Sequence, residues 1–275
     1  ATKAVANGPQ VPLIRMSQIC ILPLALFLAI AGPCRYAVCR MPELPEVETI
    51  RRALARAVTG RRVTAVRTHV SSLRTPLDEN ALRRGLEGRT LRRVRRRAKY
   101  LLFDLDSGSL LLVHLGMTGS FRLVAAEAPV EKHDRISFRL SSGRELRYHD
   151  PRRFGQVELW APGEEPPALA GIGPEPLGSR FTAGYLREAI RGRKRPIKPL
   201  LLDQALVAGV GNIYASEALF RARIRPGRAA GSLSRDECTR LDGAVRRGLA
   251  AAIRQGGTTI RTHRQLDGAE GRFQV

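Results

Sequence analysis

The chain has 275 residues, with 47 lysines and arginines against 25 aspartates and glutamates, which gives a formal net charge of +22 at pH 7. Hydrophobic residues make up 43% and charged residues 26% of the chain, a composition that excludes a disordered chain. The length is sufficient for two modest domains. The excess of positive charge favours a polyanionic partner, usually nucleic acid, although a basic surface that serves only solubility is an alternative.

The first forty residues differ from the rest of the chain. They contain four basic residues and no acidic one, so the basic character belongs to the remaining chain. Residues 19–32 read ICILPLALFLAIAG, a run too short to span a bilayer but of suitable length for the apolar region of a signal peptide. Two interpretations stay open at this point: a secretory signal beginning at Met16, or an over-extended gene start upstream of Met41.

A helix is predicted directly after residues 42–46. Its apolar residues recur at helical spacing and form one stripe, and Gly60 ends the pattern. The stripe consists of Val47, Ile50, Leu54 and Val58.

Short runs of strand-forming residues follow between residues 61 and 160, separated by turns such as Ser107-Gly108 and Ser142-Gly143. We therefore predict an antiparallel two-sheet domain headed by one helix. The clearest predicted strands cover residues 63–66, 100–104, 110–114, 136–140 and 156–160.

Residues 161–176 (APGEEPPALAGIGPEP) are rich in proline and glycine and are predicted to be a linker. Helices are predicted at 181–191, 197–206 and 213–222, and a capping box of Ser234 and Glu237 starts a long helix that ends at Gly256-Gly257. The fold class is thus α+β. An extension at 1–40 precedes an N-terminal β-sandwich domain at 41–160, the linker and a helical domain at 177–275.

The four cysteines do not form a metal pattern. Cys20, Cys34 and Cys39 lie in the first forty residues, Cys238 stands alone, and no C-x-x-C pair occurs. Neither a zinc site nor a disulfide framework is predicted, and a reducing compartment is the default expectation.

The segment MPELPEVETIRR at 41–52 carries the first chemical signal. An N-terminal Pro42 would present a secondary amine that can form an iminium with a sugar carbon, and terminal amines titrate well below lysine. Glu43 and Glu46 beside it offer a proton donor and an orienting carboxylate. The ordinary alternative is that proline and glutamate simply suit the first turn of a helix.

The segment GVGNIYASE at 209–217 carries the second chemical signal. Two glycines and Asn212 before a helix would expose backbone N–H groups to an anion such as a DNA phosphate. A tight connection between two helices is the alternative.

Together with further motifs in the same order along the chain, these segments resemble the formamidopyrimidine-DNA glycosylase family from Met41 to about Val275. The PELPE start is similar to the purine-specific branch of that family. The resemblance implies a β-sandwich domain, a helix–two-turn–helix domain and excision of oxidised purines such as 8-oxoguanine, followed by strand cleavage at the abasic site. The matching motifs are MPELPEVE, RRAKYLL (96–102), HLGMTGS (114–120), EKHD (131–134), DPRRFG (150–155), GPEPL (173–177), IKPLLLDQ (197–204), GVGNIYASE and GGTT (256–259).

The resemblance also implies residue roles. Pro42 would attack the deoxyribose and form a Schiff base, Glu43 would protonate the ring oxygen, and Lys99 would contact the phosphate and assist elimination. Met117, Arg152 and Phe154 are similar to the trio that fills the gap left by the everted nucleotide, a task for which stacking side chains are suited. His114, His133, Asn212 and Arg193 are similar to phosphate or backbone contacts, and Lys198 to a residue near the damaged base.

Without the resemblance, the same residues have ordinary interpretations. Met117 and Phe154 could be core residues, Arg152 a solvated charge, and His133 a loop residue.

Two departures from the family pattern lead to further expectations. Pro42 is internal in this sequence, and an amide nitrogen is not a nucleophile, so activity requires that Pro42 be the free N-terminus. This favours the over-extended start over a secretory signal, and we expect a cytoplasmic protein. A monomer is also expected. The four-cysteine finger that usually binds one structural zinc in the family has no counterpart in the sequence, so no zinc is predicted in this chain. No small cofactor is predicted either, because the nucleophile would be part of the protein. The loop at 258–273 is expected to cover the everted base.

We predict double-stranded DNA containing oxidised purines as the partner, with no obligate protein partner. Two alternatives stay open: a damaged-DNA-binding protein without catalysis, and a membrane-anchored or exported basic protein.

Overall fold

Two antiparallel sheets and six α-helices make up residues 41–257, the part of the chain that this computed structural model describes. The predicted α+β architecture, a β-sandwich headed by a helix and followed by a helical domain, is confirmed. The N-terminal part consists of α1 (Leu44–Val58), β1 (Val63–Thr68), α2 (Glu79–Leu86), β2 (Leu91–Arg97), β3 (Tyr100–Leu105), β4 (Leu110–His114), β5 (Ser120–Ala125), β6 (Asp134–Leu140), β7 (Arg144–His149) and β8 (Gln156–Trp160).

The strands form two four-stranded sheets, in the orders β1-β6-β7-β5 and β2-β3-β4-β8. One apolar cluster between them takes buried side chains from all eight strands, and the rings of Phe103 and Phe121 meet across it at 5.9 Å. The predicted stripe on α1 packs into the same cluster. Burial of this apolar surface is the main force that holds the sandwich together.

Helix α2 lies within the region where only strands were predicted. Asp78 caps it by accepting a hydrogen bond from the backbone N of Ala81, and Leu82 and Leu86 are buried one helical turn apart. A cap and two apolar residues suffice for a two-turn helix when a sheet covers its apolar side.

The helical part consists of α3 (Ala183–Ile190), α4 (Ile197–Leu201), α5 (Asn212–Ala222) and α6 (Arg235–Arg254), with short 3₁₀ helices at Pro167–Leu169 and Ala230–Ser232. The prediction of one helix over 197–206 was wrong, because α4 ends at Leu201. The side chain of Gln204 then bonds the backbone N of Gly209 (2.8 Å) and the carbonyl of Val210 (2.9 Å), which stabilises a compact turn instead.

A second apolar cluster belongs to the helices, and α1 takes part in both clusters. Leu44, its first residue, is fully buried among the helices, and its backbone N donates to the carbonyl of Gly209 at 3.0 Å. The start of α1 is therefore held between the two parts of the chain, and the candidate site lies at this point.

In the described part of the chain, no helix is long and apolar enough to cross a membrane. The apolar run at 19–32 and the loop at 258–273 lie outside the described residues.

Candidate active site and nucleic-acid interface

Pro42 and Glu43 lie at the start of α1. Pro42 is buried, whereas Met41 before it is 40% exposed. The backbone N of Glu43 donates to the carboxylate of Glu46 at 3.0 Å, which satisfies one of the free N–H groups at the helix start. The chain therefore turns inward at Pro42 and directs Glu43 into the protein.

The carboxylate of Glu43 is bound by the N-terminus of α5. It accepts hydrogen bonds from the backbone N atoms of Gly211 (2.8 Å), Ile213 (2.8 Å) and Tyr214 (3.3 Å). A Cβ atom at Gly211 would lie 2.4 Å from the Cδ of Glu43, so this approach requires glycine. Free N–H groups and the positive end of the helix dipole favour a carboxylate here.

Glu43 also interacts electrostatically with Lys99, and burial shifts both groups. Desolvation raises the pKa of Glu43 despite the opposing backbone hydrogen bonds and the charge of Lys99. Desolvation likewise lowers the pKa of Lys99 despite the carboxylates of Glu43 and Glu46. A carboxyl group with a raised pKa can hold a proton nearer to neutral pH, as a general acid requires.

Glu46 has a second partner that the sequence analysis did not identify. The hydroxyl of Tyr214 donates to the Oε1 of Glu46 at 2.7 Å, and both residues are buried. Tyr214 thus connects the third residue of α5 to the first turn of α1. Its place in the GVGNIYASE motif was the available signal, but nothing local indicated its partner.

Lys99 lies in the two-residue turn between β2 and β3, where Ala98 adopts a left-handed φ of 50°. Glu175 holds this turn by accepting hydrogen bonds from the backbone N of Ala98 (2.7 Å), Arg96 (2.8 Å) and Arg97 (3.2 Å). Burial alone would raise the pKa of Glu175, but its bonds to Arg96 and neighbouring donors lower it overall. Glu175, within the GPEPL motif, is a further residue to which the sequence analysis gave no role.

His114 ends β4 and lies beside Tyr100, with a ring separation of 4.8 Å. Burial, together with the charges of Lys99 and Arg74, lowers the pKa of His114 to about 4. Its Nδ1 accepts a hydrogen bond from the backbone N of Gly116 at 3.1 Å. A neutral ring with Nδ1 as acceptor carries its proton on Nε2, so His114 offers one neutral donor.

Met117, Arg152 and Phe154 lie on two neighbouring loops. Arg152 stacks over the ring of Phe154 at 4.6 Å, and Phe154 is 47% exposed, whereas Met117 is half-buried. The loops touch, since a Cβ atom at Gly116 would lie 2.5 Å from the backbone carbonyl of Phe154. The structure thus brings together the loops that carry the predicted trio.

His133 lies beside the second of these loops, because its carbonyl accepts a hydrogen bond from the backbone N of Asp150 at 2.9 Å. Its Nδ1 is 3.1 Å from the Nη2 of Arg135. Burial and the charge of Arg135 lower its pKa. His133 therefore lies next to the loop that carries Arg152.

The remaining predicted residues belong to the helical part. Asn212 is exposed at the start of α5, between two residues whose backbone N atoms bind Glu43. Lys198 is half-buried on α4. Arg193 is exposed after α3, and its Nε donates to the carbonyl of Ala189 at 2.9 Å, so the structure ties it to its own helix rather than to Glu43 or Lys99.

Residues 41–257 contain no group of three or more histidine, cysteine, aspartate or glutamate side chains that could hold a metal ion. Cys238 is the single cysteine of this range and is buried in the helical cluster. Within this range the side chains present therefore do not fit a four-cysteine zinc site.

Two family models match the chain. Residues 41–157 match the formamidopyrimidine-DNA glycosylase N-terminal domain, and residues 172–264 match the formamidopyrimidine-DNA glycosylase H2TH domain. The formamidopyrimidine-DNA glycosylase of Thioalkalivibrio sulfidiphilus is 56% identical over 236 residues, which cover 85% of this chain and 86% of the relative. That of Stenotrophomonas maltophilia is 50% identical over 235 residues, with the same shares covered.

Solved structures are similar as well. A mutant Lactococcus lactis FPG bound to a Fapy-dG-containing DNA has a TM-score of 0.78 and 36% identity, over 84% of this chain and 85% of that chain. The MutM (FPG) protein of Thermus thermophilus has a TM-score of 0.74 and 44% identity, over 84% of each chain. A MutM complex with DNA containing carbocyclic 8-oxo-G has a TM-score of 0.77 and 36% identity, over 84% of this chain and 85% of that chain.

Proposed function

Since this chain belongs to the formamidopyrimidine-DNA glycosylase family, we propose that it excises oxidised purines through a covalent bond between Pro42 and the deoxyribose. The chain is a DNA glycosylase and AP lyase of base-excision repair, and its partner is damaged DNA. The comparisons do not favour the alternative of a binding protein without catalysis. The observation that carries the residue assignment is the buried carboxylate of Glu43, held at the start of α5 next to Pro42 and within the field of Lys99.

The first step forms a bond between the nitrogen of Pro42 and C1′ of the damaged nucleotide, while the bond from C1′ to the base breaks. The base leaves with that electron pair and takes up the proton that the amine releases. Glu43 then gives a proton to O4′ as the C1′–O4′ bond opens, which leaves an iminium between Pro42 and C1′. The raised pKa of Glu43 supports this role.

Strand cleavage follows from the iminium. Water takes a proton from C2′, the electrons of that C–H bond form a C2′=C3′ double bond, and the phosphate leaves with the electron pair of the C3′–O bond. Lys99 contacts that phosphate, and its position in a tight turn fixed by Glu175 supports this role. The nucleophile is part of the chain, so we infer that this chemistry uses no small cofactor.

The other predicted residues form the proposed DNA surface. His114, His133, Asn212 and Arg193 contact phosphates or backbone, and Lys198 lies near the damaged base. Met117, Arg152 and Phe154 fill the gap in the duplex, as their shared surface and the exposed ring of Phe154 support. We also propose that the protein acts as a monomer in the cytoplasm.

The chemistry demands a free amine at Pro42. Within a peptide bond the nitrogen lone pair is delocalised into the carbonyl group and cannot attack C1′. We therefore propose that the active form begins at Pro42. In this form the peptide bond between the exposed Met41 and the buried Pro42 is no longer present.

Borohydride trapping on a duplex that contains 8-oxoguanine tests this proposal. The full chain and the form that begins at Pro42 are compared, and the second form is also acetylated at its N-terminus as a matched control. We expect a covalent adduct from the Pro42 form and none after acetylation. An adduct that survives acetylation would assign the nucleophile elsewhere, and the absence of an adduct from every form would contradict the proposed reaction.

A further inference from the structure

Asp150 is a buried carboxylate beneath the loop that carries Arg152 and Phe154. It is 0% exposed and directly follows β7. Within residues 41–257 its carboxylate accepts hydrogen bonds from neutral donors, whereas the Nε of Arg135 donates to its backbone carbonyl at 2.8 Å. A buried carboxylate is costly unless its oxygens are hydrogen-bonded, and both oxygens of Asp150 have such donors.

The donors come from both gap-filling loops. Oδ1 of Asp150 accepts hydrogen bonds from the hydroxyl of Thr118 (2.5 Å) and from the backbone N of Arg152 (3.3 Å). Oδ2 accepts from the backbone N of Gly155 at 2.9 Å. Thr118 follows Met117 directly, and Arg152 and Gly155 enclose Phe154. One carboxylate therefore connects the backbones that carry all three gap-filling side chains.

Close packing supports the same connection. Gly116, with a left-handed φ of 61°, lies so near the second loop that a Cβ atom would be 2.5 Å from the carbonyl of Phe154. A Cβ atom at Gly155 would lie 1.7 Å from the hydroxyl of Tyr148, and one at Gly119 would lie 2.3 Å from it. The two loops therefore pack closely against each other and against the hydroxyl of one tyrosine.

We propose that Asp150 is a positioning residue that fixes these two loops as one rigid unit, so that Met117, Arg152 and Phe154 enter the duplex together. The inference rests on the proposed function. Extruding a nucleotide costs free energy because stacking and pairing are lost, and the inserted side chains replace those contacts. Loops that are already ordered lose less conformational entropy on insertion than loops that order upon binding.

The proposal separates duplex substrates from those that need no extrusion. A duplex with 8-oxoguanine requires extrusion and gap filling, whereas a single strand with a preformed abasic site requires neither. Asp150→Asn replaces an acceptor oxygen by a donor, and Thr118→Val removes the hydroxyl at nearly constant shape. Thr118→Ser keeps the hydroxyl and is the conservative variant. Asp104→Asn is the matched control, because Asp104 on β3 forms an ion pair with Arg95 on β2 and both residues lie outside the two loops.

We expect Asp150→Asn and Thr118→Val to slow single-turnover excision from the duplex by about tenfold or more, since each removes hydrogen bonds to a buried charge. Borohydride adducts with the single-stranded abasic site should stay within about threefold, because Pro42 and Glu43 are not touched. Thr118→Ser and Asp104→Asn should match the unsubstituted chain on both substrates. All variants are made in the form that gives the covalent adduct.

An equal loss on both substrates, or no loss on either, would overturn the role of Asp150. Should Asp150→Asn fail to fold, Thr118→Val decides between these outcomes alone. Failure of the unsubstituted chain to react with either substrate would instead contradict the proposed function, so the two failures are distinguishable.

Discussion

At the scale of single residues, environment decides what each side chain can do. Glu43 and Glu175 are both partly or fully buried carboxylates, yet the pKa of Glu43 is raised and that of Glu175 lowered. Both experience desolvation, but Glu175 is bonded to two guanidinium groups, whereas Glu43 is bonded to neutral backbone N–H groups. The same residue type is thus suited to hold a proton in one place and to stay ionised in the other.

The shifted His114 ring predicts a pH dependence of stability. Its folded pKa of about 4 lies below the ordinary value of 6.5, so the unfolded chain binds more protons in this window, and stability falls as the pH is lowered through it. Between pH 7 and pH 5 this group should account for a loss of about 2 kcal/mol in the free energy of unfolding.

Urea unfolding of the unsubstituted chain and of His114→Gln at both pH values measures this loss. We expect the variant to lose about 2 kcal/mol less than the unsubstituted chain over the same interval. An identical pH dependence of the two proteins would contradict the assignment of a depressed pKa to His114.

At the scale of elements, α5 supplies a binding site through its first turn. Its N-terminus lacks a side-chain cap of its own, and the carboxylate of Glu43 takes that place. Gly211 has extended backbone angles that any residue can adopt, so its requirement is one of space and not of conformation. The helix therefore depends on α1 for its cap, and α1 depends on the helix for the position of its acid.

Gly211→Ala should displace the carboxylate of Glu43, because the new Cβ would lie 2.4 Å from its Cδ. We expect excision to fall by about 100-fold, as displacements near 1 Å do in active sites, while DNA affinity changes little. Gly227→Ala is the matched control, since nothing lies within 4 Å of its new Cβ. Single-turnover excision and equilibrium DNA binding are measured for both, and equal rates in the two variants would refute the steric argument.

At the scale of the whole molecule, the two parts of the chain are joined at the site itself. Leu44 of α1 belongs to the helical cluster, while Val47 belongs to the sandwich cluster. Glu175, near the end of the predicted linker at 161–176, adds a second connection, because its carboxylate bonds Arg96 and Arg97 of the sandwich. The residues proposed to bind DNA on the two parts are therefore connected through the same contacts that position Glu43 and Lys99.

Glu175→Gln should weaken this connection and lower the free energy of unfolding by about 1–3 kcal/mol, because two partly buried guanidinium groups lose their charged acceptor. Glu164→Gln, at an exposed carboxylate that bonds only the backbone N of nearby Ala161, should change stability by less than about 0.5 kcal/mol. Urea denaturation of both variants checks the difference. Equal stability losses would show that Glu175 acts only locally.

The amino-acid sequence by itself determined the fold class and the family. The apolar stripe of α1, the capping box of α6 and the short strand-forming runs are local patterns that report which face of an element is buried. The motifs and their order along the chain identified the family and the candidate residues, because both can be compared without knowing any distance in the folded protein. Even so, α2 was missed and α4 was predicted too long, because a neighbouring sheet and the side chain of Gln204 decide those elements.

Only the tertiary structure decided how the site is built. Glu43 and Gly211 are 168 positions apart, and no local pattern reports that their atoms meet at 2.8 Å. The roles of Tyr214, Glu175 and Asp150 depend in the same way on partners supplied by other elements. The physical reason is that periodicity encodes which residues are buried, whereas pKa shifts, shared carboxylates and loop contacts arise from which buried groups meet once the chain has packed.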